Sequence, residues 1–302
     1  MSLRRQIEDW QVRWAGRNGI RMGTAAGSVA KLDENLFEPL TQRAWQQFIG
    51  GAGSELDPPD GQSGHLYSVY SSTALLVNFL HPWTRPPDAD SSRNAGDRAG
   101  PLLKACGLSG ATATRIDFEV PVPVNPRFAK PPHVDALIRL SGSGWKRAAI
   151  EAKFCEPYVG KKQGGLYSVY LRERELWTGW PHLREFAGRL SPTDDVHTCL
   201  HAAQLIKHLL GLKKEYGAQA VLVYLWFDVP GEMAARLHRE EVESFSAVLE
   251  SDGIPFVSRT YQQLLKALEA EVDDSERRYI GYLRGRYMER WNTAGNEDAE
   301  PA

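Results

Sequence analysis

Apolar residues recur along this chain at two spacings, and the change from one to the other divides it into elements. Residues 114–124, TRIDFEVPVPV, set Asp117 and Glu119 between apolar neighbours, the alternation of a half-buried strand that spans Ala113 to Val124. Pro121 and Pro123 donate no ladder hydrogen bond, so this strand ends at an edge. Two more strand-like runs, Val134 to Leu140 and Lys146 to Phe154, flank Ser141-Gly142-Ser143-Gly144. These small residues accept the curvature of a hairpin loop, which makes the two runs antiparallel. The continuous apolar run at 218–229 predicts a central strand covered on both faces, and 254–260 predicts a short last strand. Helical spacing predicts helices over 4–17, 35–51, 66–83, 93–108, 196–216, 231–250 and 260–291. The helix at 66–83 is apolar almost all round and is predicted to be buried, with Ser71, Ser72 and Asn78 as polar exceptions that serve capping and interhelical hydrogen bonds or, alternatively, line the active-site floor.

This order, helices and then a three-strand meander, helix, buried strand, helix, strand and helix, predicts a three-layer α/β core over 113–291 with a mixed central sheet. Residues 1–112 add an N-terminal helical region packed on that core, about 156–195 form an insertion, and 292–302 read as a disordered acidic tail. The word LYSVY occurs at 66–70 and at 166–170, but nothing around it repeats.

The hairpin carries the candidate chemistry. Alternation puts Glu151 and Lys153 on one face and Ile150, Ala152 and Phe154 on the other. Asp135 lies near the end of its strand away from the loop, as does Glu151, so two carboxylates and one amine meet at one end of the strand pair between apolar flanks. Two carboxylates offer hard oxygen ligands to Mg²⁺, with Mn²⁺ as a substitute. Such an ion polarises a phosphoryl oxygen and lowers the pKa of its water, while the lysine orients that water or offsets developing charge. Glu119 becomes a further ligand if it faces the same cleft; otherwise it is an acid on an exposed strand face. Glu-x-Lys alone is common enough to be a surface ion pair, with Asp135 capping a turn. Agreement of strand, loop, strand and register favours the metal site.

Asp135, the hairpin and Glu151-x-Lys153 resemble the PD-(D/E)XK, or restriction-endonuclease-like, superfamily, although Val134 stands where proline is usual and Pro131 and Pro132 lie just upstream. SSTALLVNF within 66–83 is similar to a helix in a little-characterised bacterial branch of restriction endonucleases. The resemblance covers 114–229 well and implies an αβββαβ core and a metal-dependent DNA endonuclease, in restriction, phage defence or mobile-element processing. It assigns metal binding to Asp135, Glu151 and the Ala152 carbonyl, and catalytic roles to Asp135, Glu151 and Lys153. It also implies that the helix after the Glu-x-Lys strand carries Gln204 at the site, with Lys207 or His208 contacting phosphate one turn later. DNA is the implied partner, with a homodimer and other defence or mobile-element proteins as further candidates. The alternatives are an inactive nucleic-acid-binding or assembly protein with this fold, and a hydrolase of small phosphoesters or nucleotides.

Composition changes this picture little. The 302 residues are 42% hydrophobic and 25% charged, an ordinary globular balance. No run approaches the ~20 apolar residues of a membrane span. The start of the chain, MSLRRQIEDWQVRW, lacks an apolar signal core, and three cysteines give no disulfide framework, so the expectation is a reducing cytoplasm. A net charge of −2 does not advertise nucleic acid, so the binding charge must be local. Lys161, Lys162, Arg172 and Arg174 stand among tyrosines and tryptophans, a mixture suited to phosphate contacts and base stacking and equally to an insertion with its own small cluster. Arg277, Arg278, Arg284, Arg286 and Arg290 make the densest basic stretch, and Arg284 and Arg286 are taken as nucleic-acid contacts. His197, Cys199 and His201 at i, i+2 and i+4 put only the outer two on one helix face, which argues against zinc and for ordinary helix residues.

Overall fold

The period-2 segments form one five-stranded sheet: β1 (Thr112–Pro121), β2 (His133–Ser141), β3 (Arg147–Lys153), β4 (Ala220–Trp226) and β5 (Phe256–Thr260), adjacent in that order. The meander β1–β2–β3 is antiparallel, whereas β3–β4 and β4–β5 are parallel, so the sheet is mixed. This computed structural model describes residues 1–51, 55–56, 64–84, 98–128, 130–160 and 162–291. Lys161, the tail at 292–302 and residues 93–97 of the expected 93–108 helix lie outside the described residues.

Helices α1 (Leu3–Arg17), α2 (Gln42–Gly50), α3 (Ser72–Leu80) and α4 (Gly100–Ala105) precede the sheet. Between β3 and β4 come α5 (Ser168–Arg172), α6 (Pro181–Arg189) and α7 (Ala202–Tyr216); α8 (Met233–Ser251) joins β4 to β5, and α9 (Tyr261–Glu271) and α10 (Arg277–Leu283) follow. Strand alternation sorts the core into two layers. Ile138, Ile150 and Val223 face α1–α4, α9 and α10, while Leu137, Ala149 and Leu222 face α5–α8. The N-terminal helices therefore share one hydrophobic core with the sheet and the C-terminal helices. The fold is the expected three-layer α/β arrangement.

Four expected helices differ from the sequence reading; the one over 66–83 is an α-helix only from Ser72 to Leu80, because the Ser71 hydroxyl caps the Ala74 N–H. The helix expected from Asn35 begins at Gln42, because Pro39 disfavours helical geometry at Glu38 and Thr41 caps the Ala44 N–H with its hydroxyl. The helix expected from 196 begins at Ala202. Residues 198–200 instead donate three backbone N–H groups to the Glu241 carboxylate, and Asp194 holds the buried His197. His197, Cys199 and His201 thus lie ahead of the helix rather than along it. The helix expected over 260–291 breaks at Val272, which is extended, and restarts behind a capping box of Asp273 and Glu276.

That break changes the reading of the arginines. A π-helical turn, Arg284–Met288, continues α10 and turns Arg286 inward, where it is fully buried and not a nucleic-acid contact. Its guanidinium donates to the carbonyl and side chain of Asn35, to Gln11, to Tyr282 and to the Val69 carbonyl, and packs 4.7 Å from the Trp14 ring. Five planar donors match this ring of neutral acceptors, which three ammonium donors cannot do. The same residue's carbonyl accepts from Trp10 and Gln11 of α1. Arg286 therefore ties α1, the Asn35 turn and the Val69 loop to the C-terminal helices. Each buried acceptor it leaves unsatisfied costs about 1–3 kcal/mol. Arg286→Lys and Arg286→Met should each lose at least about 3 kcal/mol in urea unfolding, and a loss below about 1 kcal/mol would show that this network is not structural.

Candidate active site

Glu151 lies in β3 opposite Tyr224 of β4 and is fully buried. The β2–β3 ladder ends at the pair Ala136–Ile150, and one step further the same register sets Asp135 opposite Glu151. There the strands part. The Ala152 N–H, which would otherwise continue the ladder, donates to Asp135 Oδ2 at 2.6 Å. In an extended strand the N–H and C=O of one residue point to the same side, so the Ala152 carbonyl faces the same gap. Lys153 Nζ lies 2.5 Å from Glu151 Oε1. Glu151 Oε2 lies 3.2 Å from Nδ1 of His208, but out of line, so both buried atoms lack a hydrogen-bond partner.

Glu119 falls in the same row, between the pairs Phe118–Ala136 and Val120–Val134. Its φ of 51° is left-handed, a strain of about 1–3 kcal/mol for a residue with a Cβ. The strand turns over at this point: Ile116 and Phe118 face one core, whereas Val120 and Val122 face the other. A Cβ on Gly51 would lie 3.0 Å from the Glu119 Cβ, so the glycine after α2 makes room for this turn.

Helix α7 covers the row. Gly211 permits this, because a Cβ there would lie 2.2 Å from the Val122 carbonyl oxygen. The helix can thus approach the backbone beyond β1 closely enough to press His208 on Glu151. Gln204 and Lys207 are half-buried on α7, and Gln204 hydrogen-bonds His201 at the helix N-terminus.

The charges act on one another. Burial and Glu151 hold the Asp135 carboxyl well above its usual range, against the opposing pull of Lys153 and the Ala152 N–H. Burial, then Glu55 and Glu151, push Glu119 up to about 8. Burial opposes the Lys153 ammonium, yet Glu151 and Asp135 outweigh it, and its pKa stands above the ordinary lysine value. Burial followed by Lys153 and Lys207 lowers His201, which is therefore neutral beside these cations. Among the described residues, no three His, Cys, Asp or Glu side chains converge to cage a metal ion. Mg²⁺ needs fewer, since it is usually held by one or two carboxylates, waters and substrate phosphate. The hard oxygens of Asp135, Glu151 and Ala152, one of them a buried orphan, fit that requirement.

The structure brings Asp135, Glu151, Ala152, Lys153 and Glu119 into one row, with Gln204 and Lys207 above it. His208 is buried against Glu151 and cannot contact phosphate. Lys162 pairs with Asp195, and Arg284 pairs with Glu269 at 2.7 Å. Arg172 and Arg174 are exposed in and just after α5. Sequence reasoning missed Glu55, because its Gly- and Pro-rich surroundings gave no sign of burial. It missed His201 as a site residue because the helix start was placed six positions early.

Buried neutral histidines give the fold an acid limit. Burial lowers His208 to about 4 and His238, whose Nε2 lies 3.0 Å from the Tyr224 hydroxyl, to about 3, against 6.5 for a free histidine. Below pH 6.5 the unfolded chain takes up protons that the folded chain refuses. This contribution is therefore intact above 6.5 and drains between 6.5 and 3, at up to about 1.4 kcal/mol per pH unit for each proton. Glu119 and Asp135 bind protons in the folded state over part of this range, so comparison with His238→Asn isolates the effect. Wild type should lose stability more steeply than that variant in urea unfolding from pH 6.5 to 4; parallel curves would refute a neutral His238.

No curated protein and no solved structure matches the chain. The family described as Restriction Endonuclease associating with ARP matches over residues 20–288, which takes in α2–α4, the acid row and both layers, and the chain belongs to this family.

Proposed function

We propose that this protein is a metal-dependent nuclease of PD-(D/E)XK type that hydrolyses DNA phosphodiester bonds. The observation that carries the reading is the buried Glu151 carboxylate, with one oxygen on Lys153 and the other unpartnered, opposite Asp135 where β2 and β3 part. Family membership supports a nuclease-like activity.

Asp135 and Glu151 would hold Mg²⁺ or Mn²⁺, with the Ala152 carbonyl as a further oxygen donor and Glu119 beside them in the row. When bound, the ion polarises a phosphoryl oxygen and supplies a more acidic water. Asp135 would give up its held proton to bind such an ion, so affinity would rise with pH. Lys153 stays protonated and is a poor general base. Its part is to position the attacking water by donating a hydrogen bond and to offset charge growing on the phosphate. His208 packs against the Glu151 carboxylate from α7 without adding charge. Gln204 and His201 border the space above the row with neutral hydrogen-bonding groups, and Lys207 adds a cation there.

A second reading, a DNA-binding protein without catalysis, draws on the Lys153–Glu151 contact, which already neutralises the site internally. Metal response separates the two. In the first reading Mg²⁺ raises the unfolding temperature of wild type but not of Glu151→Gln, by mass action on the folded state.

Lys153→Ala should cut supercoiled plasmid about 10²–10³-fold more slowly with Mg²⁺ or Mn²⁺, with its far-UV circular dichroism unchanged. EDTA should stop the wild type altogether. Wild-type rates in Lys153→Ala, or cleavage that persists in EDTA, would overturn the assignment.

A further inference from the structure

Beside the acid row, at the start of β2, lies a second cavity of about 520 Å³, within the range of about 300–1,000 Å³ usual for ligand pockets. Its lining contains three cations, Arg127, Lys130 and Lys207, and no acid. None of the three makes an ion pair among the described residues, and Arg127 and Lys130 are exposed. Elsewhere on this protein surface cations are commonly spent on neighbouring carboxylates, as Arg43 is on Asp117 and Lys104 on Glu271. Among the described residues this cluster has no ion-pair partner, and Glu151 acts on Lys207 only from beyond contact.

Aromatic rings complete the cavity. Phe128 and Tyr170 pack with ring centroids 4.5 Å apart, and the Tyr170 carbonyl accepts the Trp177 indole N–H, so this wall is fixed. Tyr167 is different: it lines the cavity yet is 71% exposed, a large ring with little of its surface covered by the protein. Unpaired cations beside a free ring and a fixed aromatic wall match the two halves of a nucleotide, since phosphate takes the charge and a base face takes the ring.

Position ties the cavity to the reaction. Lys207 precedes His208, which touches Glu151, and Pro132 in the cavity wall is three residues before Asp135. We propose that this cavity holds one unstacked nucleotide of a DNA strand, with its base against Tyr167 and its flanking phosphates on Arg127, Lys130 and Lys207. The adjoining phosphodiester is thereby presented to the Asp135–Glu151 row. This rests on the nuclease reading of that row. Because a paired base cannot enter, single-stranded or locally opened DNA is the favoured substrate.

The test is fluorescence anisotropy with a labelled ten-residue oligothymidylate and the full chain in EDTA, so that binding is read without metal or turnover. Tyr167→Ala should weaken binding about tenfold while Tyr167→Phe stays close to wild type, the pattern of stacking. Arg127→Ala should lower the slope of log affinity against log salt by about 0.7, one single-strand phosphate contact. A blunt duplex of the same length should bind more weakly. Equal affinity in Tyr167→Ala, no oligonucleotide binding by wild type, or thymidine monophosphate competing as well as the oligonucleotide would each overturn the proposal. Plasmid cleavage is scored separately: an inert wild type that still shows the Tyr167 effect defeats the nuclease reading and leaves the cavity, whereas active cleavage indifferent to Tyr167 does the reverse.

Discussion

A carboxylate with no exposed surface, set in a sheet between two apolar cores, is the constraint on which the site depends. An unpaired charge there is strongly unfavourable, so Glu151 requires a partner held at fixed distance. Lys153, two residues on and on the same face, is that partner. The remaining oxygen has only a neutral, misaligned imidazole beside it. The neighbouring acids rise above the usual carboxylate range, first because they are buried and then because Glu151 repels a further negative charge.

The surrounding fold maintains that arrangement. On one side, Gly211 brings α7 against the backbone beyond β1, and Glu241 ties down the loop that leads into α7. On the other side, Arg286 binds α1, the Asn35 turn and the Val69 loop to the C-terminal helices, whose apolar faces back the same sheet. Buried polar networks of this kind, when fully satisfied, specify one arrangement of their elements.

A net charge of −2 conceals an uneven distribution of charge over the molecule. Most arginines near the C-terminus are absorbed by the fold: Arg286 is buried, Arg284 faces Glu269 and Arg277 faces Asp274. Beside α7, Arg127, Lys130 and Lys207 line one cavity without an ion pair among the described residues. Local concentration rather than overall balance sets the field at a given place on the surface.

The sequence by itself determined the strands, their order and the hairpin that places Asp135, Glu151 and Lys153 at one end of a strand pair. These are consequences of local alternation and of turn residues, which a short window contains. Gln204 and Lys207 came only with the family resemblance, not from any local pattern. Only the tertiary structure decided the rest. Glu55 and Glu119 joined the charge network through a loop packing and a left-handed backbone turn that no periodicity announces. His208 became a buttress instead of a phosphate contact because Gly211 lets α7 sit so low. Arg286 left the surface because a π-helical turn rotated it inward, and α7 began late because Glu241, some forty residues away, captured three N–H groups that a helix would have used. Local pattern records which face a residue occupies along its own element; which charges share a low-dielectric space depends on contacts between residues far apart in the chain.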